Sequence, residues 1–176
     1  MSNLDRIVLI GPMGAGKSSI GRQLARALGY AFCDSDKELE RRTGVDIPVI
    51  FDIEGEEGFR RREKAMIDEL SRNDRCVLAT GGGAILDADT RHRLRDRGLV
   101  IYLETSIAEQ LRRTRRDRNR PLLQTEDPEA RLRDLMEQRR PLYLETAHLT
   151  VNTDQAGVQQ VVREIMRTLE ERNSTQ

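Results

Sequence analysis

Arg6-Ile7-Val8-Leu9-Ile10 followed by Gly11-Pro12-Met13-Gly14-Ala15-Gly16-Lys17-Ser18 is the stretch whose reading decides the fold. The first five residues form a short, almost continuous apolar run, which suits a strand buried on both faces. The next eight match G-x-x-x-x-G-K-[ST] at every fixed position. From Ser18 onward Ile20, Leu24, Ala27 and Leu28 recur at helical spacing, and Gly29 closes the segment. A strand, a glycine loop and a helix in that order make a phosphate cradle. The loop's N–H groups converge on phosphate oxygens, and the helix adds its positive end. Gly14, Ala15, Gly16, Lys17, Ser18 and Ser19 are the nucleotide-binding candidates, with Lys17 reaching the β- and γ-phosphates and the Ser18 hydroxyl positioned for magnesium.

Outward from this unit the same rhythm repeats. Tyr30 to Cys33 reads as a second strand, with helical texture to Arg42 and a break at Thr43-Gly44. Residues 56 to 70 read as a helix with Phe59, Met66 and Leu70 on one side. Cys76 to Ala79 is a third strand, Ala88 to Arg97 a polar helix, and Leu99 to Leu103 a fourth strand. Ile107 and Leu111 begin a helix that dissolves into an arginine cluster, and residues 129 to 140 look helical. Leu149 and Val151 mark a last strand before the apolar stripe Val158, Val161, Val162, Ile165, Leu169. Five short apolar strands separated by helices predict an α/β three-layer P-loop fold, with parallel strands and helices on both faces. The whole of 1–176 reads as a single domain, without repeat or linker.

Composition excludes several classes. The 176 residues carry thirty basic and thirty acidic side chains, so no net field recruits nucleic acid or an anionic membrane. No run approaches the ~20 apolar residues of a membrane span, and the first apolar stretch is too short for a secretory signal. Cys33 and Cys76, the two cysteines, both lie in apolar stretches and read as reduced core thiols of a cytoplasmic protein. None of the three lysines follows an asparagine, which excludes the Asn-Lys-x-Asp element of guanine-specific switches. A motor or transporter ATPase needs a larger chain, whereas a small-molecule kinase fits the size.

Three further constellations carry chemistry. Asp34-Ser35-Asp36 ends the second strand, where ligands gather in an open α/β sheet. Residues two apart in an extended segment face the same way. The pair therefore serves magnesium (Asp34) and an acceptor hydroxyl (Asp36); alternatively Asp34 ends the strand and Asp36 caps the next helix. Thr80-Gly81-Gly82-Gly83 follows the third strand and lets backbone N–H groups approach a ligand, or it is a plain flexible loop. No carboxylate ends that strand, which moves the metal-side acid to Asp34. Arg112, Arg113, Arg115, Arg116, Arg118 and Arg120 crowd nine positions with Asp117 the sole acid, the texture of a mobile lid lowering arginine onto phosphates. A nucleic-acid patch competes, but no aromatic residue accompanies the cluster. Arg60 and Arg139 lie in helices rich in acids, and residue chemistry leaves them open between function and surface pairing.

With these residues in place, the chain resembles the shikimate kinases of the bacterial aromatic pathway over essentially its whole length. The resemblance rests on Gly11–Ser18, Asp34-Ser35-Asp36, Gly55-Glu56-Glu57-Gly58-Phe59-Arg60, Thr80–Gly83, Arg120-Pro121-Leu122-Leu123 and Arg139-Arg140-Pro141-Leu142-Tyr143 in that order. It implies a nucleoside-monophosphate-kinase-like fold with a five-stranded parallel sheet in order 2-3-1-4-5. A substrate-binding region near 34–62 and a mobile lid near 112–126 are implied too. The implied reaction transfers the ATP γ-phosphoryl group to the 3-hydroxyl of shikimate, with Mg²⁺ as cofactor. Lys17, Asp36 and Arg120 would be catalytic. Asp36, Arg60, Gly81, Gly82, Gly83 and Arg139 would bind shikimate, Arg113 would lie over the adenine with Arg120 on the transferring phosphate, and Ser18 and Asp34 would serve the metal. Ser19 departs from the threonine common in the family, without consequence expected for Ser18. A kinase for another hydroxy acid such as gluconate, and a nucleotide-binding module without turnover, are the alternatives. A monomer is expected, because one domain can house every group.

Overall fold

The computed structural model describes residues 3–115 and 121–174. Its centre is a five-stranded parallel sheet in the order β2-β3-β1-β4-β5, with β1 at Arg6–Ile10, β2 at Ala31–Asp34, β3 at Cys76–Ala79, β4 at Leu99–Glu104 and β5 at Leu149–Asn152. The order follows from two excursions: the chain leaves β1 to one side for β2 and β3, then crosses to the other side for β4 and β5. Beside β1 the direction of winding reverses, which opens a crevice at the carboxyl ends of the strands. Leu9 pairs with Ala79 on one side and Ile101 on the other, so the crevice is bounded by the loops that follow β1, β3 and β4.

The alternation of side chains along β1 divides the core into two layers. Ile7 and Leu9 face α1 (Lys17–Leu28) and α7 (Val158–Asn173), packing with Ile20, Leu24, Val161, Ile165 and Leu169. Val8 and Ile10 face the opposite layer, with Ile67 of α3 (Ile47–Leu70), Leu94 of α4 (Ala88–Arg97) and Tyr143 of α6 (Pro128–Thr146). A third cluster sits under β3, where Leu78 meets Leu39 of α2 (Ser35–Thr43) with Ile47, Ile50, Phe59, Met66 and Leu70. At roughly 1.5–3 kcal/mol for each fully buried large aliphatic side chain, these clusters hold the frame on which the polar groups are mounted. Helix α5 (Ile107–Thr114) leads from β4 toward the arginine-rich segment.

The elements expected from periodicity are found, with two differences. Residues 47–54, not read from the sequence, form a helix that begins at Asp46-Ile47-Pro48, where proline at the second helical position removes no needed donor. It meets the helix over 56–70 at Gly55, whose φ of 72° breaks the helical path. Helix α6 continues past residue 140, through Pro141, to Thr146. Cys33 and Cys76 are free, with sulfurs 3.3 Å apart. Ala31 is the register partner of Cys76, and Cys33 that of Leu78. The two cysteines are thus diagonal, about 8 Å between Cα atoms by strand spacing, beyond the span of an unstrained disulfide.

Candidate active site

The cradle is built almost wholly from local sequence. Gly14 (φ 78°) and Gly16 (φ 87°) take the left-handed conformations that turn successive N–H groups inward. A side chain at Gly14 would meet the Gln110 carbonyl at 3.2 Å, so α5 closes the loop from behind. Lys17 opens α1 and donates to the carbonyls of Gly11 (2.7 Å) and Pro12 (2.8 Å), which lays its ammonium along the loop. Ala15 is fully buried and pins the loop to the core. A cavity of ≈ 420 Å³ opens beside it, lined by Gly14, Gly16, Lys17, Ser18, Ser19, Asp34, Asp36 and Arg113 among others.

Asp34 answers both readings of its position. Its Oδ1 accepts from the N–H groups of Asp36 (3.0 Å) and Lys37 (3.2 Å), capping α2, while its Oδ2 accepts from the Ser18 hydroxyl at 2.5 Å. Asp34, not Asp36, is therefore the cap, and Asp36 is left on the first turn of α2 facing the cavity. The Ser18–Asp34 pair offers two hard oxygen donors at the phosphate end. Among the described residues no group of three or more His, Cys, Asp and Glu could hold a metal by itself. That fits magnesium, which is typically held by one or two protein oxygens together with nucleotide phosphates.

A second cavity adjoins the first. Its lining includes Asp36, Phe59, Arg60, Glu63, Gly81, Gly82, Gly83 and Arg139, and it shares Asp36, Ile47, Gly81 and Gly82 with the cradle. At Gly81 and Gly83 the ends of charged side chains occupy the space a side chain would take. A Cβ at Gly81 would lie 2.6 Å from Glu63 Oε2 and 3.0 Å from Asp36 Oδ1, and one at Gly83 would collide with the Arg60 guanidinium. A Cβ at Gly82 would come to 3.5 Å from Arg139 Nη1 and the Gly11 carbonyl and 3.6 Å from the Met13 N–H nitrogen, so this loop approaches both the arginine and the cradle.

Burial and charge at the far end of this cavity are unusual. Arg139 is 4% exposed and Glu63 3% exposed. Arg60 donates to Glu63 Oε1 at 2.7 Å, yet the Nε donors of Arg60 and Arg139 and Glu63 Oε2 are buried with no hydrogen-bond partner among the described residues. Burial pushes the Glu63 carboxyl up against the opposing pull of Arg60 and Arg139, and burial lowers Arg139. The two guanidinium groups here face three carboxylates, Glu63, Asp36 on the same cavity wall and Glu56, which pairs with Arg60 at 3.5 Å on its exposed side. An orphaned, desolvated donor costs ~1–3 kcal/mol, and a carboxylate is the kind of partner with which guanidinium donors form their strongest contacts.

The structure thus brings Asp36, Arg60, Gly81–Gly83 and Arg139 to one cavity, and Lys17, Ser18, Ser19 and Asp34 to the cavity beside it. Arg113 lines the cradle rim, where it donates to the Gly14 carbonyl (3.0 Å) and the Thr153 carbonyl (2.9 Å) and pairs with Glu109. It ties the phosphate loop to the end of β5. Arg120 lies outside the described residues. Glu63 was missed by sequence reading; its signal was the i,i+3 spacing from Arg60, which resembles any surface pair until burial is known. Phe51 and Ile47, which also line the acceptor cavity, sit on the unread helix.

Fold and site together define a small P-loop kinase with a second, arginine-lined cavity beside its phosphate cradle. The shikimate kinase family model matches residues 13–170. The chain is 64% identical to the shikimate kinase of Thioalkalivibrio sulfidiphilus, over 95% of this chain and 88% of that one. It is 56% identical to that of Methylococcus capsulatus, over 97% and 95%. Among solved structures, the shikimate kinase from Acinetobacter baumannii in complex with shikimate superposes with a TM-score of 0.94 at 51% identity, covering 96% of this chain and 94% of that one. The chain belongs to the shikimate kinase family. A gluconokinase from Sinorhizobium meliloti, at 20% identity and a TM-score of 0.59, shares the fold alone.

Proposed function

We propose that the two adjoining cavities are the donor and acceptor halves of one active site, with the residue roles that follow. The activity itself comes with family membership: ATP-dependent phosphorylation of the 3-hydroxyl of shikimate, giving shikimate 3-phosphate and ADP. The observation that carries the residue assignment is the shared wall, since Asp36, Gly81 and Gly82 border both cavities. An acceptor held by its carboxylate between Arg60 and Arg139 presents its ring hydroxyls to Asp36, beside the mouth of the cradle.

In that arrangement Asp36 orients the attacking hydroxyl and accepts its proton late in transfer. A carboxylate is a weak base at neutral pH, so alignment and charge neutralisation supply most of the acceleration. Lys17 swings from the Gly11 and Pro12 carbonyls to the β- and γ-phosphates. Ser18 and Asp34 would hold Mg²⁺, which supplies charge neutralisation across the phosphates when bound. Arg113 borders the nucleotide on the adenine side, and Arg120 would reach the transferring phosphate from a lid spanning about 112–126, whose closure excludes water. The region 34–62 carries the acceptor side. One chain houses every group, so a monomer suffices. Two free thiols suit the cytoplasm, and among the described residues no helix is long and apolar enough to cross a membrane.

The test is ADP release from purified protein with Mg-ATP and a panel of shikimate, quinate and gluconate. Turnover with shikimate far above the others is expected. Gluconate as the best acceptor, or no acceptor-dependent release while ATP still binds, would overturn the reading.

A further inference from the structure

Arg139 and Tyr143 are four residues apart on α6 and therefore share a face of the helix. Tyr143 is fully buried, and its hydroxyl donates to the Gly82 carbonyl at 2.5 Å. Its ring stacks on Tyr102 of β4, centroids 5.0 Å apart and planes within 17°. The Arg139 guanidinium lies beside the same glycine: a Cβ at Gly82 would stand 3.5 Å from Arg139 Nη1. One phenol thus anchors, through its proton, the glycine loop that the guanidinium one helical turn away also borders. In a trans peptide the carbonyl and the following N–H point to opposite sides. Anchoring the Gly82 carbonyl on Tyr143 consequently turns the Gly83 N–H away from α6.

We infer that Tyr143 is a positioning residue for the acceptor pocket, holding the Gly82–Gly83 peptide in place beside the Arg139 guanidinium through a single hydroxyl. This rests on the reading that Arg139 grips the acceptor carboxylate. Tyr143 touches no reacting atom and acts only through that peptide. The stack on Tyr102 supplies the rigid backing, because a closely packed aromatic pair on the sheet leaves the phenol no alternative direction. The Tyr102 oxygen, by contrast, is buried without a hydrogen-bond partner among the described residues. The two phenols of one stack therefore have unequal tasks.

Tyr143→Phe keeps the ring, its volume and the stack, and removes only the hydroxyl. The expected result is a rise in KM for shikimate of about three- to tenfold, the effect of losing one net hydrogen bond, with KM for ATP unchanged. Tyr102→Phe, which removes the partnerless oxygen from the same stack, is expected to leave shikimate KM unmoved. In an Arg139→Ala background the effect of Tyr143→Phe on shikimate KM should shrink, because the guanidinium beside which the peptide is held is gone. An unchanged shikimate KM in Tyr143→Phe while Arg139→Ala raises it would overturn the inference and leave the acceptor reading intact. Equal rises in Tyr143→Phe and Tyr102→Phe, or a rise in Tyr143→Phe matched by an equal rise in ATP KM, would assign Tyr143 to packing alone. If Arg139→Ala leaves shikimate KM unchanged, the acceptor reading fails, and this inference fails with it.

Discussion

The phosphate cradle and the acceptor pocket lie side by side but are built in different ways. The cradle is contiguous in sequence from Gly11 to Ser18 and works mainly through backbone: three positive-φ glycines, a helix start and one lysine. The polar groups of the pocket come from the first turn of α2, the middle of α3, the loop after β3 and the middle of α6, with Met13, Pro121 and Leu122 adding to its lining, and it works through side chains. A backbone site tolerates change around it because its geometry is local. A pocket of several separate elements depends on each of them being held in place by the core. Its ionic groups are also desolvated, so losing one leaves another exposed to the full cost of burial.

Substitutions should separate the two regions by which substrate they affect. Asp36→Asn is expected to have the largest effect, lowering kcat by about 10²–10⁴-fold with ATP affinity nearly intact, checked by steady-state kinetics beside nucleotide titration. A comparable loss of ATP binding would move Asp36 to the cradle side. Lys17→Ala should lower kcat by about 10²–10³-fold, as loss of a preorganised charge does, and should weaken ATP as well, leaving shikimate binding near its original value. Arg139→Ala should raise shikimate KM by about 10- to 150-fold, the ~1.5–3 kcal/mol of a charge-assisted contact; an unmoved KM returns Arg139 to simple pairing.

Gly81→Ala tests the wall shared by both regions. Its methyl group would press on Glu63 and Asp36, and an overpacking cost of ~1–3 kcal/mol should appear as a roughly 10- to 100-fold fall in kcat/KM for shikimate. Gly157→Ala, where a Cβ meets nothing within 4 Å, should change nothing. The smallest effect is one of stability alone. Asp68, hydrogen-bonded by Arg72 and ion-paired with Arg93 and Arg97, is held at about 2 in the folded protein, below the ~3.9 of an unfolded aspartate. Its contribution is complete above pH ~4 and disappears as pH falls through about 2. Urea midpoints of wild type and Asp68→Asn should therefore differ modestly at pH 7 and converge toward pH 2, with shikimate KM the same in both at pH 7. A constant offset at all pH values would remove the charge explanation.

How much could be read beforehand follows the same division. Strands such as Leu99–Leu103 and helices such as α7 were legible because one element's pattern depends only on its own spacing. The helix over 47–54 was not, because Pro48 at its start and Gly55 at its end punctuate it so closely that no full period develops. The continuation of α6 through Pro141 ran against proline's usual role as a breaker, and with it went the reach of Tyr143 to Gly82. Asp34 was read as either a metal-side acid or a strand end, and it is a cap and a partner of Ser18 at once, one oxygen for each.

By itself the sequence determined the phosphate cradle, the parallel sheet with helices on both faces and, through the ordered set of motifs, the family. These depend on local spacing, backbone preferences and the hydrophobic period, all of which are written along one stretch of chain at a time. Only the tertiary structure decided that Glu63 and Arg139 are buried rather than paired on the surface, with the half-buried Arg60 bridging Glu63 to the surface, and that Asp36 borders both cavities. Charge chemistry is identical in the two cases. Exclusion of water decides between them, and it comes from elements far apart in the chain packing over the same few side chains.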